Sequence, residues 1–218
     1  MRQAGAMTTD RLLPLGEAAD GAWIAERAVR GALLEAARGV RGLAPDALRF
    51  RLADDTGDAP FPVPPGGLPP GPLRVTLDFA AVAGRPLPEL ADRLRTALLR
   101  TAEGSLGLVV AEVDLRVTEL LDALPDSPPP TGPPGRTSPP APDDPAALAA
   151  LAVPGVAALT DAFGPPVLRL PDGRLRVEVA AAVTEDHRAV DTARALRTAV
   201  TAAAPEATTV TVVVSELR

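Results

Sequence analysis

Leu94–Leu98 reads LRTAL, and Leu196–Val200 reads LRTAV, 102 residues further on. LRV at Leu73–Val75 recurs as LRV at Leu175–Val177 with the same spacing. VTEL at Val117–Leu120 returns as VSEL at Val214–Leu217, 97 residues apart, and GVRGL at Gly39–Leu43 is matched by AVPGV at Ala152–Val156, 113 apart. The matches keep their order, and the spacing changes only between segments, which is the mark of an internal duplication. Two copies predict tandem domains, because a solenoid generally needs about three repeats or more.

In the first copy, GAWIAE leads as a short extended segment into a helix. Ile24, Ala28, Val29, Ala32, Leu33, Ala36 and Val40 recur at the three- and four-residue spacing of an amphipathic helix. Gly39 and Gly42 stop it. In ALRFRL, Leu48, Phe50 and Leu52 alternate with Arg49 and Arg51. In LRVTLDF, Leu73, Val75, Leu77 and Phe79 alternate with Arg74, Thr76 and Asp78. Both read as half-buried strands, joined by a loop rich in Pro and Gly. A second helix is predicted from about Leu87 to Ala102, with Leu87, Leu90, Leu94, Leu98 and Ala102 on one stripe. A closing strand in VVAEVDLRVTEL buries Val113, Leu115 and Val117. The strand–helix–strand step implies a right-handed parallel crossover, and the hairpin is antiparallel.

The second copy is trimmed. Asp144 and Pro145 suit the N-cap and first turn of a short helix to Val153. PVLRL and GRLRVEVA form the hairpin, with Leu168, Leu170, Leu175, Val177 and Val179 expected on the inner face. A helix follows over residues 186–203, then the strand TTVTVVVSEL. Val213 falls on the nominally polar face of that strand, which points to cover on both sides. A unit of this size is marginal alone, so the two copies are expected to pack on each other or on a partner. The predicted class is α+β: two tandem units, each a three-stranded mixed sheet with two helices on one face. The expected bounds are a flexible segment 1–19, unit one 20–122, a proline-rich linker 123–143 of polyproline character, and unit two 144–218.

Apolar residues make up 46% of the chain, enough for a core, but aromatics only 2%. All 22 basic residues are arginine and the net charge is −6, with three more acids than arginines in each copy. A chain rich in Ala, Arg and Pro without Lys carries the stamp of a GC-rich coding genome, so single arginines bear little functional weight. Neither copy has the basic excess that drives phosphate binding. The absence of cysteine excludes disulfides, thiolate catalysis and cysteine-ligated metals. No secretory signal is expected in the first residues, and Met7 is an alternative start. The longest apolar run, Ala146–Leu159, is short of a membrane span of ~20 residues.

WIAERAVRGALLEAARGVRGL, LRVTLDFAAVAGRPLPELADRLRTAL and VAEVDLRVTEL together resemble the alkaline shock protein family of bacterial envelope-stress proteins. The likeness covers about residues 20–120, and more loosely 145–217, where the Ile-Ala lead-in is missing. It implies a non-enzymatic protein of the cytoplasm. It further implies, as for some members of that family, recruitment to the inner face of the membrane through a membrane-anchored protein partner. Exposed sheet edges separately suggest edge pairing, including self-association, or sheet-face docking as the binding mode.

No catalytic constellation stands out. His187, the one histidine, adjoins Glu185 and Asp186, but neighbours on a helix do not converge on one atom, and one imidazole makes no metal site. Asp54-Asp55 and Asp143-Asp144 read as loop solubility and capping. GGLPPG at Gly66–Gly71 lacks the Gly-Lys-Ser/Thr ending of a phosphate loop. No cofactor, metal ligand or catalytic residue is therefore expected. The outward strand positions Arg49, Arg51, Arg74 and Arg116 are the candidate partner face, among Thr76, Asp78, Glu112 and Asp114; copy two offers Arg169, Arg174, Arg176 and Glu178. A solvated face with cross-strand ion pairs is the plainer reading of them; the functional one is a docking face for an acidic partner or the second copy. The expectation is a scaffold or interaction protein. The alternative is a small RNA-binding module, disfavoured by the acidic charge and the lack of stacking aromatics on that face.

Overall fold

The computed structural model describes residues 10–54, 61–124, 143–184 and 187–218. The linker expected between the copies falls mainly outside them, as do residues 1–9, Asp55, Glu185 and Asp186. In the first half, helix α1 (Glu26–Arg38) is followed by strands β3 (Leu43–Leu52) and β4 (Leu73–Val82), helix α2 (Leu87–Leu99) and strand β5 (Val110–Leu121). Two short strands, β1 (Leu12–Pro14) and β2 (Ala22–Ala25), precede α1. Strand β3 pairs antiparallel with β4, and β4 parallel with β5. This is the mixed three-stranded sheet that the alternation predicts. Val29, Leu33 and Ala37 of α1 and Leu90, Leu94 and Leu98 of α2 are buried, each set at helical spacing.

Helix α2 runs on into a π-helical turn, Arg100–Leu106, that ends at Gly107 with φ +80°. A β-carbon there would lie 2.1 Å from Cγ1 of Val190 in the second half. Gly107 is required twice, for its backbone angle and for that close approach.

The second half repeats the order: helix α3 (Pro145–Leu151), strands β6 (Val156–Leu159), β7 (Val167–Arg169) and β8 (Arg174–Ala181), helix α4 (Ala189–Ala203) and strand β9 (Thr209–Leu217). Asp144 caps α3, accepting from the amides of Ala146 and Ala147. Where the first half has one long strand, β3, the second has two short ones. Strand β6 pairs with Val179–Ala181, and β7 with Leu175–Val177. The sequence reading placed only β7 in this hairpin. It also put Leu168 on the inner face, but Leu168 lies opposite Arg176 in the register, on the other face from Leu175 and Val177.

The second sheet differs from the expected three strands. Its order is β1-β2-β9-β8-β6, with β7 also on β8, making six. The lead-in Ala22–Ala25 is extended as read, but it pairs parallel with β9, Trp23 opposite Val213. Strand β1 then pairs antiparallel with β2. Leu12–Pro14 is therefore a buried strand, where the sequence reading placed a flexible leader. The physical reason lies in β9. Its free edge would leave a row of unpaired backbone groups, and its Val213 leaves apolar surface on the second face. The N-terminal strands satisfy both.

Residues 61–68 of the first half lie over the same region. The amide of Leu12 donates to Gly66 O at 3.0 Å, and that of Leu68 to Leu12 O at 2.8 Å. Trp23 Nε1 donates to Leu68 O at 2.9 Å. Leu12, Trp23, Ala25 and Val213 form a small buried cluster with Phe61, Val63 and Phe163 packed on it. Val213 is thus covered on both sides, as its place in an otherwise alternating strand implies. On the inner faces, one contiguous apolar core takes residues from α1, α2, α3, α4 and both sheets. The class is α+β, with four α-helices and two mixed sheets of six and three strands among the described residues.

Candidate functional site

The two sheets end up in opposite states. On the outer face of the six-stranded sheet, Glu178 and Val213 are fully buried, and Arg176 and Thr211 nearly so. On the three-stranded sheet, the four arginines singled out in the sequence lie on one face and are all exposed. In the register, Arg51 faces Arg74, which faces Glu112. Arg49 faces Thr76, which faces Asp114, and Asp78 faces Arg116.

Two of the four are partnered. Arg49 Nη2 donates to Asp78 Oδ2 at 2.7 Å, and Arg74 bonds Glu112 and lies 3.6 Å from Asp114. Among the described residues, Arg51 and Arg116 make no ion pair. Asp78 is buried beneath the exposed Arg49; the Arg74 pairs are exposed on both sides, and pairs of that kind add little stability. The face is a strip of mixed charge, with Arg49, Arg51, Arg74 and Arg116 set among Asp78, Glu112 and Asp114.

The sequence points to pairing through sheet edges without naming the strand that forms one. Among the described residues, strand β5 is a terminal strand, paired with β4 alone. The equivalent strand, β9, is paired on both sides, by β8 and by β2. The repeated VTEL and VSEL motifs confirm that β5 and β9 are equivalent. Each carries a bulge at its second residue: Thr118 between Val117 and Glu119, and Ser215 between Val214 and Glu216. The Thr118 hydroxyl donates to Phe79 O and the Ser215 hydroxyl to Val179 O, both at 3.3 Å. In each copy the hydroxyl fastens the extra residue that a bulge leaves out of the ladder. Beside this edge Leu120 is 59% exposed, and Val117, expected to be buried, is 42% exposed because no strand pairs on its far side among the described residues.

The second copy's charged positions do not form a matching face. Arg169 turns to the α3 side, where Nη1 donates to Asp144 Oδ2 at 2.7 Å. Its hydrogen bonds, with those from the α3 amides and its charge, outweigh the opposing effect of burial and hold the Asp144 carboxyl below its ordinary range. Glu178 is sealed inside. Its Oε1 accepts from Ala162 N at 2.7 Å and from the Thr160 hydroxyl at 3.0 Å, and its Oε2 from Phe163 N at 3.0 Å. These are the amides of the loop that splits β6 from β7. Glu178 therefore supplies the partners that the interrupted strand lacks. Burial pushes its carboxyl up, against those hydrogen bonds and the charge of Arg176. Arg176 donates to Phe163 O at 2.8 Å.

The remaining sequence candidates have structural surroundings. His187 Nδ1 lies 3.3 Å from the Thr184 hydroxyl. The GGLPPG loop is the segment that flanks β1. Among the described residues, no group of three or more His, Cys, Asp or Glu is placed to hold a metal ion, and no helix is long and apolar enough to cross a membrane. No family model matches the chain, and no curated protein or solved structure matches it.

Proposed function

We propose that this chain is a non-enzymatic scaffold or interaction protein whose working surface is the sheet β3-β4-β5. One observation carries the reading: among the described residues, one of the two sheets has its second face and its β9 edge covered by the chain itself, while the other presents both its charged face and its β5 edge. Chain invested in closing one sheet leaves the other available for a protein partner, by face docking or strand addition. The resemblance to alkaline shock proteins belongs to this proposal. With it come a link to envelope stress, a cytoplasmic location and a membrane-anchored partner at the inner face. Its support is the shared order of helix, strand pair, helix and Val-rich closing strand.

The test is site-specific photocrosslinking in cells. A photoreactive residue at Arg51 or Arg116 should capture a protein, and one at Arg93 on the solvent side of α2 should not. Adducts at Arg93 alone, or none at the sheet, would contradict the reading. RNA adducts at Arg51 and Arg116 would favour the nucleic-acid alternative, against which the carboxylate partners of Arg49 and Arg74 already weigh. His187→Ala should leave any cellular phenotype unchanged in a folded protein.

A further inference from the structure

Strand β5 has a property that its equivalent lacks: its sequence is self-complementary when read backwards. The positions on its apolar side are Val110, Val113, Leu115, Val117 and Leu120, opposite Leu73, Val75, Leu77, Phe79 and Ala81 of β4. Their spacing is three, two, two, three, symmetric about Leu115. The wider steps arise from irregularities at both ends of the strand, next to Val110 and at Thr118. On the charged side, Asp114 and Arg116 flank the same centre with opposite signs. Strand β9 has no such pattern: Val210, Val212, Val213 and Val214 run together without a charge among them.

We propose that β5 pairs antiparallel with β5 of a second copy, about a two-fold axis through Leu115. This inference rests on the reading of β3-β4-β5 as the working sheet and names the occupant of its edge. The register sets Val113 against Val117 of the second copy and Leu115 against Leu115. It sets Val110 against Leu120, whose side chain is the most exposed large apolar group among the described residues. On the other face, Asp114 meets Arg116 twice, once on each side of the axis. Arg116 makes no ion pair within its own chain among the described residues, so it is free for this role. The pairing is isologous, as a two-fold interface must be. A shift of one residue would bring apolar groups against charged ones. A 12-residue edge strand with apolar residues beside it is a surface that stable proteins cover. In the second half, β2 covers it; in the first, the copy does. The product is one continuous six-stranded sheet, with helices on one face and two copies of the arginine–carboxylate strip on the other.

The test uses the full chain and two charge reversals, with mass measured by sedimentation equilibrium and folding checked by circular dichroism. The wild type should reach twice the 22.3 kDa of the chain. Asp114→Arg and Arg116→Asp should each weaken association by about tenfold or more, because both symmetric contacts become like-charged. An equimolar mixture of the two variants should associate again, since each then meets its opposite, and so should the double variant with both changes. A wild type that stays monomeric at high concentration overturns the proposal, as does association indifferent to all three variants. A monomeric chain that still crosslinks a protein through Arg51 would remove this inference and leave the proposed function standing. A monomeric chain without such adducts would remove both.

Discussion

Asp20 and Arg194 stand 174 residues apart in the chain and meet in a two-pronged ion pair, with Arg194 Nε and Nη2 donating to the two carboxylate oxygens at 2.8 Å each. Arg197 reinforces the join, donating to Ala19 O at 2.7 Å. Burial works against the charge of Asp20. The hydrogen bonds from Arg194 and the Glu17 amide, with the charges of Arg194 and Arg197, outweigh it and hold the carboxyl below its ordinary range. The N-terminal strands are thus pinned to α4 as well as to β9.

Removing that pin should cost measurable stability. Asp20→Ala is expected to lower unfolding free energy by about 1 kcal/mol, since Arg194 is nearly half exposed and screened. A double-mutant cycle with Arg194→Ala should show coupling of about 0.5–1 kcal/mol. Because the folded carboxyl is depressed, this contribution is present above the ordinary aspartate range and fades as pH falls through the folded value. Strict additivity of the two substitutions in urea titrations would count against the account.

Trp23, the one tryptophan, sits between β9 and residues 61–68 and is 1% exposed. It reports on the junction between the halves. Its fluorescence and far-ultraviolet circular dichroism should give the same urea midpoint, as one cooperative unit requires. Trp23→Ala should cost about 3–5 kcal/mol. A fluorescence transition that clearly precedes the loss of helix would show that the N-terminal strands are only loosely attached.

The elements with strict periodicity were legible. Strands β3, β4, β5 and β9 and helices α1 and α2 all follow from alternation or three-and-four spacing of Leu and Val. Partners far apart in sequence were not. Ala22–Ala25 reads as extended, but nothing local says that its neighbour is Val212–Val214. Strand β6 is only VAAL, too short and Ala-rich to stand out. Glu178 alternates outward from Val177 and Val179 like any solvated acid; the loop of residues 160–166, whose Ala162 and Phe163 amides donate to it, is what buries it. Val213 was informative because an apolar residue on a polar face needs cover. The face carrying Arg49, Arg51, Arg74 and Arg116 was readable from alternation. That β5 is an open edge follows from topology, which alternation does not encode.

Glu178 should leave a signature in pH. Its folded carboxyl is raised above the ordinary value of 4.5, so the folded state holds its proton more tightly than the unfolded state. Stability should decline as pH rises from the ordinary glutamate range towards the raised value. Glu178→Gln should flatten that decline, while losing about 1–3 kcal/mol at acid pH through poorer matching of the Ala162 and Phe163 amides. Urea midpoints across this range for both proteins make the comparison. An unchanged slope in the variant would mean that the carboxyl is not the titrating group.

The contrast between a closed and an open sheet is best measured by backbone amide exchange along β5 and β9 across a dilution series. Val212–Val214 of β9, paired with both β8 and β2, should be protected at every concentration. In β5, the amides not donated to β4 should exchange quickly when the chain is dilute and slow markedly as concentration rises. Equal protection of β5 and β9 at the highest dilution, or edge-like exchange in β9, would contradict the account.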